Sequence, residues 1–369
     1  MILNKLKNLN YLLIFILILL SLIGSVGLYS AADGSFHPWA NKHLIRFSFF
    51  LLLTIVISII DIKLIYKYSY LIFILCLSLL FSVEIIGVLG KGASRWIHIF
   101  GYSIQPSELI KIFIILALAK FYHDLKFEKI GNPLFLFFPA IIIFLPAFLV
   151  LVQPDLGTAV SIIILGIAVL FSSGIKIWKF VLGILVTLSS IPFLWNIIKP
   201  YQKNRIISFL NPESDPMGQG YQLIQSKIAL GSGGVTGKGF LKGTQSYLEY
   251  LPEKQTDFIF TLIGEEFGFL GTMFIIVLFF LLISICYYVG IKSIHIFGRI
   301  LALGIGTNLF IYVIMNIAMV SGLMPVVGIP LPLISYGGTA MLSIMISMGI
   351  ILNIDLNYNI KKLQNNAYN

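Results

Sequence analysis

The chain has 369 residues, 58% of them hydrophobic and 11% charged, with a mean hydropathy of +0.98. A soluble domain carries about 25% charged residues, so a water-surrounded globule is excluded; 30 phenylalanines and two cysteines likewise exclude a disordered chain and a disulfide scaffold. The net charge of +10 does not indicate a nucleic-acid partner, because the basic residues sit singly or in pairs between apolar runs, where membrane topology accounts for them.

In chain order, apolar runs predict helices near Tyr11–Tyr29, Leu44–Ile60, Tyr68–Leu89, Ser107–Phe121, Leu134–Val152, Gly157–Phe171, Ile177–Ile198, Phe258–Val289, Ile300–Val320 and Leu333–Ile354. The expected fold is an all-α polytopic integral membrane protein with about ten transmembrane helices, at about 20 residues per crossing, in one membrane domain over residues 1–369. The first run is full length and lacks a small-residue cleavage site, so it is expected to stay as a span. Cys76 and Cys286 each fall within an apolar run and read as small buried hydrophobes. An even number of crossings puts both termini on one side. If that side is the cytoplasm, the inner segments hold thirteen Lys and Arg, against Lys42, Arg46, Lys91 and Arg95 in the short outer loops. This asymmetry predicts cytoplasmic termini and one long extracytoplasmic loop, about residues 199–257, between helices 7 and 8.

Three outside-to-inside helices open on related signals: Gln105-Pro106-Ser107-Glu108, Gln153-Pro154-Asp155, and Pro252-Glu253-Lys254-Gln255-Thr256-Asp257. Proline near the first turn followed by an acid suits a helix N-terminus, and capping alone would explain Asp155. The sharper expectation is that these N-termini converge at the outer face and offer a site for a phosphate or diphosphate. Glu108 and Lys111, spaced i, i+3 inside the hydrocarbon boundary, either lock two helices or line an interior cavity. Arg95 is flanked by Trp96 and reads either as a headgroup anchor or as a substrate ligand.

The stretch Gly231-Ser232-Gly233-Gly234-Val235-Thr236-Gly237-Lys238-Gly239 fails the P-loop pattern, since Ser232 takes the first glycine position and Gly239 replaces the Ser/Thr after the lysine. It is expected to be a flexible basic loop that wraps a substrate, a plain turn being the alternative. The loop bases Lys199, Lys203, Arg205, Lys227, Lys238, Lys242 and Lys254 suit an anionic lipid headgroup, or simply a solvated loop facing anionic lipids. The five histidines are scattered and suggest no metal centre. A divalent cation such as magnesium or manganese would be held by carboxylates and substrate phosphates; no other cofactor is indicated.

Motifs carry the reading further. Ser94-Arg95-Trp96-Ile97, Gln105-Pro106-Ser107-Glu108, Gln153-Pro154-Asp155-Leu156-Gly157-Thr158 and Gly220-Tyr221-Gln222-Leu223-Ile224-Gln225-Ser226 occur in order. Gly231-Ser232-Gly233-Gly234, Leu251-Pro252-Glu253, Thr256-Asp257-Phe258-Ile259-Phe260 and Pro330-Leu331-Pro332-Leu333-Ile334-Ser335-Tyr336-Gly337-Gly338 follow. The series resembles the SEDS family (shape, elongation, division and sporulation proteins) over essentially the whole chain. Lys242-Gly243-Thr244-Gln245-Ser246 and Val326-Val327-Gly328 resemble the elongation (rod-shape) branch, with the division branch the near alternative. Gln255 departs from the histidine common in the family, which argues against a histidine base at that position.

The resemblance implies an inverting peptidoglycan glycosyltransferase. It would polymerise lipid II, an undecaprenyl-diphosphate-linked disaccharide peptide, at the outer face of the bacterial plasma (inner) membrane during elongation. Asp257, in the matching motif, would be the catalytic base; Arg95, Glu108, Lys111, Asp155, Arg205, Lys238 and Glu253 would bind substrate. A class B penicillin-binding protein would supply cross-linking, since no Ser-x-x-Lys followed by Ser-x-Asn and Lys-Thr-Gly is present in the sequence. Two other readings compete: a lipid flippase, which needs a polar path reaching both leaflets, and a scaffold that positions a partner synthase.

Overall fold

The computed structural model describes residues 2–90, 93–99, 102–197, 200–215, 218–247, 250–251 and 253–367. Lys91, Lys199 and Pro252, singled out above, lie outside the described residues. The chain runs α1 (Ile2–Lys7), α2 (Tyr11–Ala31), α3 (Ala40–Ile59) and α4 (Ile62–Ile86), then strands β1 (Val88–Gly90), β2 (Ala93–Ile99) and β3 (Tyr102–Ile104). Helices α5 (Pro106–Asp124), α6 (Pro133–Val152), α7 (Leu156–Ser172) and α8 (Ile177–Ile197) follow. The long connection holds α9 (Pro200–Leu210), α10 (Gln219–Ser232) and α11 (Thr244–Tyr247); the chain ends with α12 (Ile259–Lys292), α13 (Ile296–Val320) and α14 (Gly338–Ala367).

Each predicted apolar run is a helix. Helices α2, α3, α4, α6, α12, α13 and α14 are long and apolar enough to cross a membrane. Helices α7 and α8 are apolar but have shorter qualifying stretches, and α5 carries Glu108, Lys111, Lys120 and Asp124. The structure explains why α5 tolerates them: it is the central helix, packed by α4, α6, α7, α13 and α14. It therefore faces protein on most sides, as α13 and α14 do, where α3 and α8 face lipid. Phe49, Leu52 and Val56 on α3 and Val181, Ile184 and Val186 on α8 are exposed, as a hydrocarbon-facing surface requires.

Three local features depart from the expectations. Helix α4 stops at Ile86, short of the predicted Leu89, because Val88–Gly90 pairs antiparallel with Ala93–Trp96 and β2 pairs on with β3. The last helix begins at Gly338 and not Leu333. Pro330 and Pro332 lack the N–H that a helix needs, and residues 330–337 form a buried non-helical segment, with Leu331 and Leu333 1% exposed and Ile334 fully buried.

The third departure is the glycine-rich stretch. Helix α12 is two helices joined at Gly268, whose φ of 66° and ψ of −161° break the hydrogen-bond ladder. Residues 234–239 repair the break. Lys238 and Gly239 N–H donate to the Glu265 and Glu266 carbonyls, both at 3.0 Å, while Phe269 and Leu270 N–H donate to the Gly234 and Val235 carbonyls at 2.9 and 3.1 Å. A buried backbone group must find a partner, the more so in a bilayer, and this stretch supplies it. A Cβ at Gly237 would overlap the Glu266 carbonyl, so the backbones can meet only at glycine. The stretch is thus a fixed backbone complement to a broken helix, in place of the flexible loop expected.

Candidate active site

Asp257 lies in the short segment before α12. The N-cap position of α12 is Phe258, one residue after Asp257. Its side chain is half-buried. The surrounding backbone is held from the loop between α13 and α14: Ser335 Oγ donates to the Thr256 carbonyl at 2.6 Å, and Tyr336 N–H donates to the Gln255 carbonyl at 2.9 Å. Asn316 Nδ2 on α13 donates to the Asp257 carbonyl at 2.9 Å and to the Ile329 carbonyl at 2.8 Å. Gly328, at φ +74°, lies against the carboxylate; a Cβ there would stand 3.3 Å from Asp257 Oδ2.

The same loop reaches two other expected residues. A Cβ at Gly157, in the first turn of α7, would overlap Val327, so α7 begins against the loop that holds Asp257. Asp155 caps α7, accepting from Thr158 N–H at 3.2 Å, and Arg95 Nη1 lies 3.8 Å from Asp155 Oδ2. Arg95 also donates from Nε to the Gln153 carbonyl at 3.2 Å and from Nη2 to the Pro154 carbonyl, tying β2 to the α6–α7 turn. On the other flank, Arg205 lines a small crevice with Ser208, Phe209, Leu223 and Val326. Residues 326–328 therefore link Arg205, Asp155 with Arg95, and Asp257.

Glu108 and Lys111 lie deeper, 4% and 1% exposed, with Lys111 Nζ 2.8 Å from Glu108 Oε1. Tyr312 donates to Glu108 Oε2, and Lys111 Nζ stands 4.0 Å from the Tyr312 ring centre. Tyr312 is one helical turn from Asn316 on α13, so the pair connects toward Asp257 through one face of that helix. The remaining expected residues fall in different places. Glu253 Oε2 accepts from Thr256 Oγ1 at 3.2 Å, within the Asp257 segment. Lys238 Nζ instead bonds Glu265 Oε1 and Thr244 Oγ1, both at 2.8 Å, beside the broken helix. Lys254 pairs with Asp33 at 3.4 Å.

Sequence reasoning missed Asn316, Tyr312, Glu265 and Glu266. Glu265 is fully buried and takes the Lys238 amine, the Thr244 hydroxyl and the Gln245 N–H; Glu266, 2% exposed, accepts from Ser30 Oγ. Two adjacent acids inside an apolar span were the available signal. Among the described residues, no group of three or more His, Cys, Asp or Glu is placed to hold a metal.

Comparison with known proteins defines the class. The FtsW/RodA/SpoVE model, described as cell cycle protein, matches residues 8–360. Peptidoglycan glycosyltransferase MrdB of Escherichia coli K12 is 44% identical over 285 residues, 76% of each chain. A probable peptidoglycan glycosyltransferase FtsW of Wigglesworthia glossinidia brevipalpis is 37% identical over 95% of this chain and 94% of its own. A chain in a solved peptidoglycan synthase complex, described as coordinating polymerization and crosslinking, superposes with a TM-score of 0.82 at 28% identity, over 95% of this chain and 98% of that one. The Thermus thermophilus rod shape determining protein RodA shares the fold, with a TM-score of 0.70 at 23% identity over 94% of this chain and 96% of that one. The chain is a multi-pass membrane protein. It belongs to the FtsW/RodA/SpoVE family, the SEDS proteins.

Proposed function

We propose that this protein is a peptidoglycan glycosyltransferase that polymerises lipid II during cell elongation, with Asp257 as the base. The names of its relatives support the reaction, and the 44% identity to MrdB supports the elongation branch. The observation that carries the site is the placement of Asp257: a half-buried acid at the entry to α12, against Gly328, with its backbone held by α13 and the α13–α14 loop. In the reaction the carboxylate takes the proton of the incoming sugar's 4-hydroxyl as that oxygen attacks the anomeric carbon of the growing chain. The bond to the polyprenyl diphosphate breaks with inversion, and its electron pair leaves on the diphosphate. Arg205 and the Arg95–Asp155 pair border the same strip and would meet the anionic part of the substrate. Among the described residues no group of three or more His, Cys, Asp or Glu is placed to hold a metal; a magnesium or manganese ion would be held in large part by the substrate phosphates.

On this reading the termini are cytoplasmic, the long connection is outside the plasma membrane, and a class B penicillin-binding protein cross-links the product. A cysteine introduced at Ser214 should then react with a membrane-impermeant reagent from outside, and one at Asn365 should not; the reverse pattern would place the site in the cytoplasm. The chemistry is tested with purified protein, lipid II and the transpeptidase partner. Asp257→Asn should abolish polymer, and Asp257→Glu should be severely impaired, while both accumulate normally. Near-normal polymer from Asp257→Asn would sink the assignment and make Glu108 the next candidate.

A further inference from the structure

We propose that Asn316 is the positioning residue for the Asp257 carboxylate. This rests on the assignment of Asp257 as base. Asp257 precedes the first turn of α12, where the helix ladder does not yet fix the chain. Its carbonyl is instead bound by Asn316, whose side-chain nitrogen also binds the Ile329 carbonyl. Both neighbours are acceptors, so the NH2 end of the amide must face them, which fixes its orientation. One buried amide thus joins the Asp257 segment to the segment that carries Gly328, the backbone against which the carboxylate rests.

Asn316 is fully buried and touches no open surface, so it acts through Asp257 and not on substrate. Its Oδ1 finds no partner among the described residues. Leaving a buried acceptor unpaired costs free energy, and a purely apolar side chain would avoid that cost. Asn308, two turns away on α13, is a matched control. It is also a buried amide, 2% exposed, with an Nδ2 that has no partner among the described residues, and it bonds neither Asp257 nor Ile329.

The test compares Asn316→Leu and Asn308→Leu in steady-state lipid II polymerisation, with melting temperature alongside and Asp257→Asn as reference. Asn316→Leu should lower kcat at least tenfold with KM within twofold, while Asn308→Leu stays within twofold of wild type in both. Equal effects of the two variants, or an Asn316→Leu loss confined to KM, would overturn the proposal. Should Asn316→Leu fail to accumulate, Asn316→Gln, which keeps the donors on a longer arm, carries the test. A loss of threefold or more confined to kcat supports the proposal, and an unchanged kcat overturns it. An active Asp257→Asn would instead remove the reading on which the proposal rests, so the two failures are distinguishable.

Discussion

The stretch 231–243 and the segment 321–337 both carry glycines at positive φ, Gly234, Gly237 and Gly239 in one, Gly322 and Gly328 in the other. The first presses against the backbone of α12 itself, the second against the segment just before it. In the first, the polar groups are consumed: two N–H and two carbonyls complete the broken helix, and the Lys238 amine is taken by Glu265. In the second, the contacts hold the backbone of residues 255–257 and leave the Asp257 carboxylate half-buried. A glycine-rich, basic loop is therefore no guide to where substrate binds. What matters is what the loop holds: the broken helix in one case, the backbone that carries Asp257 in the other.

The strongest way to break this contrast is at Gly237. Valine there must take φ +83°, which L-residues avoid, and would place its Cβ into the Glu266 carbonyl. The repair of α12 would fail, leaving backbone groups unpaired inside the bundle. We expect a loss of roughly 4 kcal/mol or more, among the largest single-site effects, seen as little or no folded protein in detergent. A folded, stable Gly237→Val protein would show that the stretch is an ordinary surface loop.

Two ion-paired lysines, one buried and one partly exposed, sharpen the same contrast. Lys111 is 1% exposed and Lys238 26% by side chain. Lys111→Ala leaves Glu108 with Tyr312 alone, and removing one partner of a buried pair costs about 3–5 kcal/mol. Because Tyr312 shares a face of α13 with Asn316, lost polymerisation should accompany it even in the folded fraction. Lys238→Met leaves Glu265 its bonds from Thr244 and Gln245. Its cost should be about 1–2 kcal/mol, within the range for a bond to a charged group and discounted for the exposed amine. Specific activity per folded molecule should be retained. Loss of activity in Lys238→Met without a change in melting temperature would return Lys238 to the substrate site.

Much of this was legible in the sequence, for physical reasons that also explain the gaps. Apolar runs announce helices because each side chain's solvent is fixed by the bilayer, and so Tyr11–Tyr29 or Leu134–Val152 need no knowledge of neighbours. Asp257, Asp155 and Arg95 stood out because a charge beside an apolar run demands a reason. Asn316 and Tyr312 did not, being uncharged residues inside the apolar run of α13, and their roles exist only through Asp257 and Glu108. The break at Gly268 was hidden within one continuous apolar run. The excess length of α12, 34 residues against the roughly 20 needed to cross, was the available hint. The β1–β3 meander was missed because its pairing, not its composition, ends α4 at Ile86.

A stability change as small as that of Lys238→Met is the most informative about the site. Gly328→Ala must adopt φ +74°, at a cost of about 1–2 kcal/mol. Its new methyl would stand 3.3 Å from Asp257 Oδ2, close enough that the carboxylate must give by a few tenths of an ångström. Asp257 is half-buried and its backbone is clamped, so the shift falls on the side chain. Fold and partner binding should therefore survive. The rate should not, because a misplacement of about 1 Å can cost roughly a hundredfold, and a fraction of that shift should lower kcat about tenfold. Turnover of lipid II and melting temperature, measured on the same preparation, separate the two effects. A Gly328→Ala protein that melts a few degrees lower but polymerises at the wild-type rate would mean that the carboxylate's position against this loop is not what the chemistry requires.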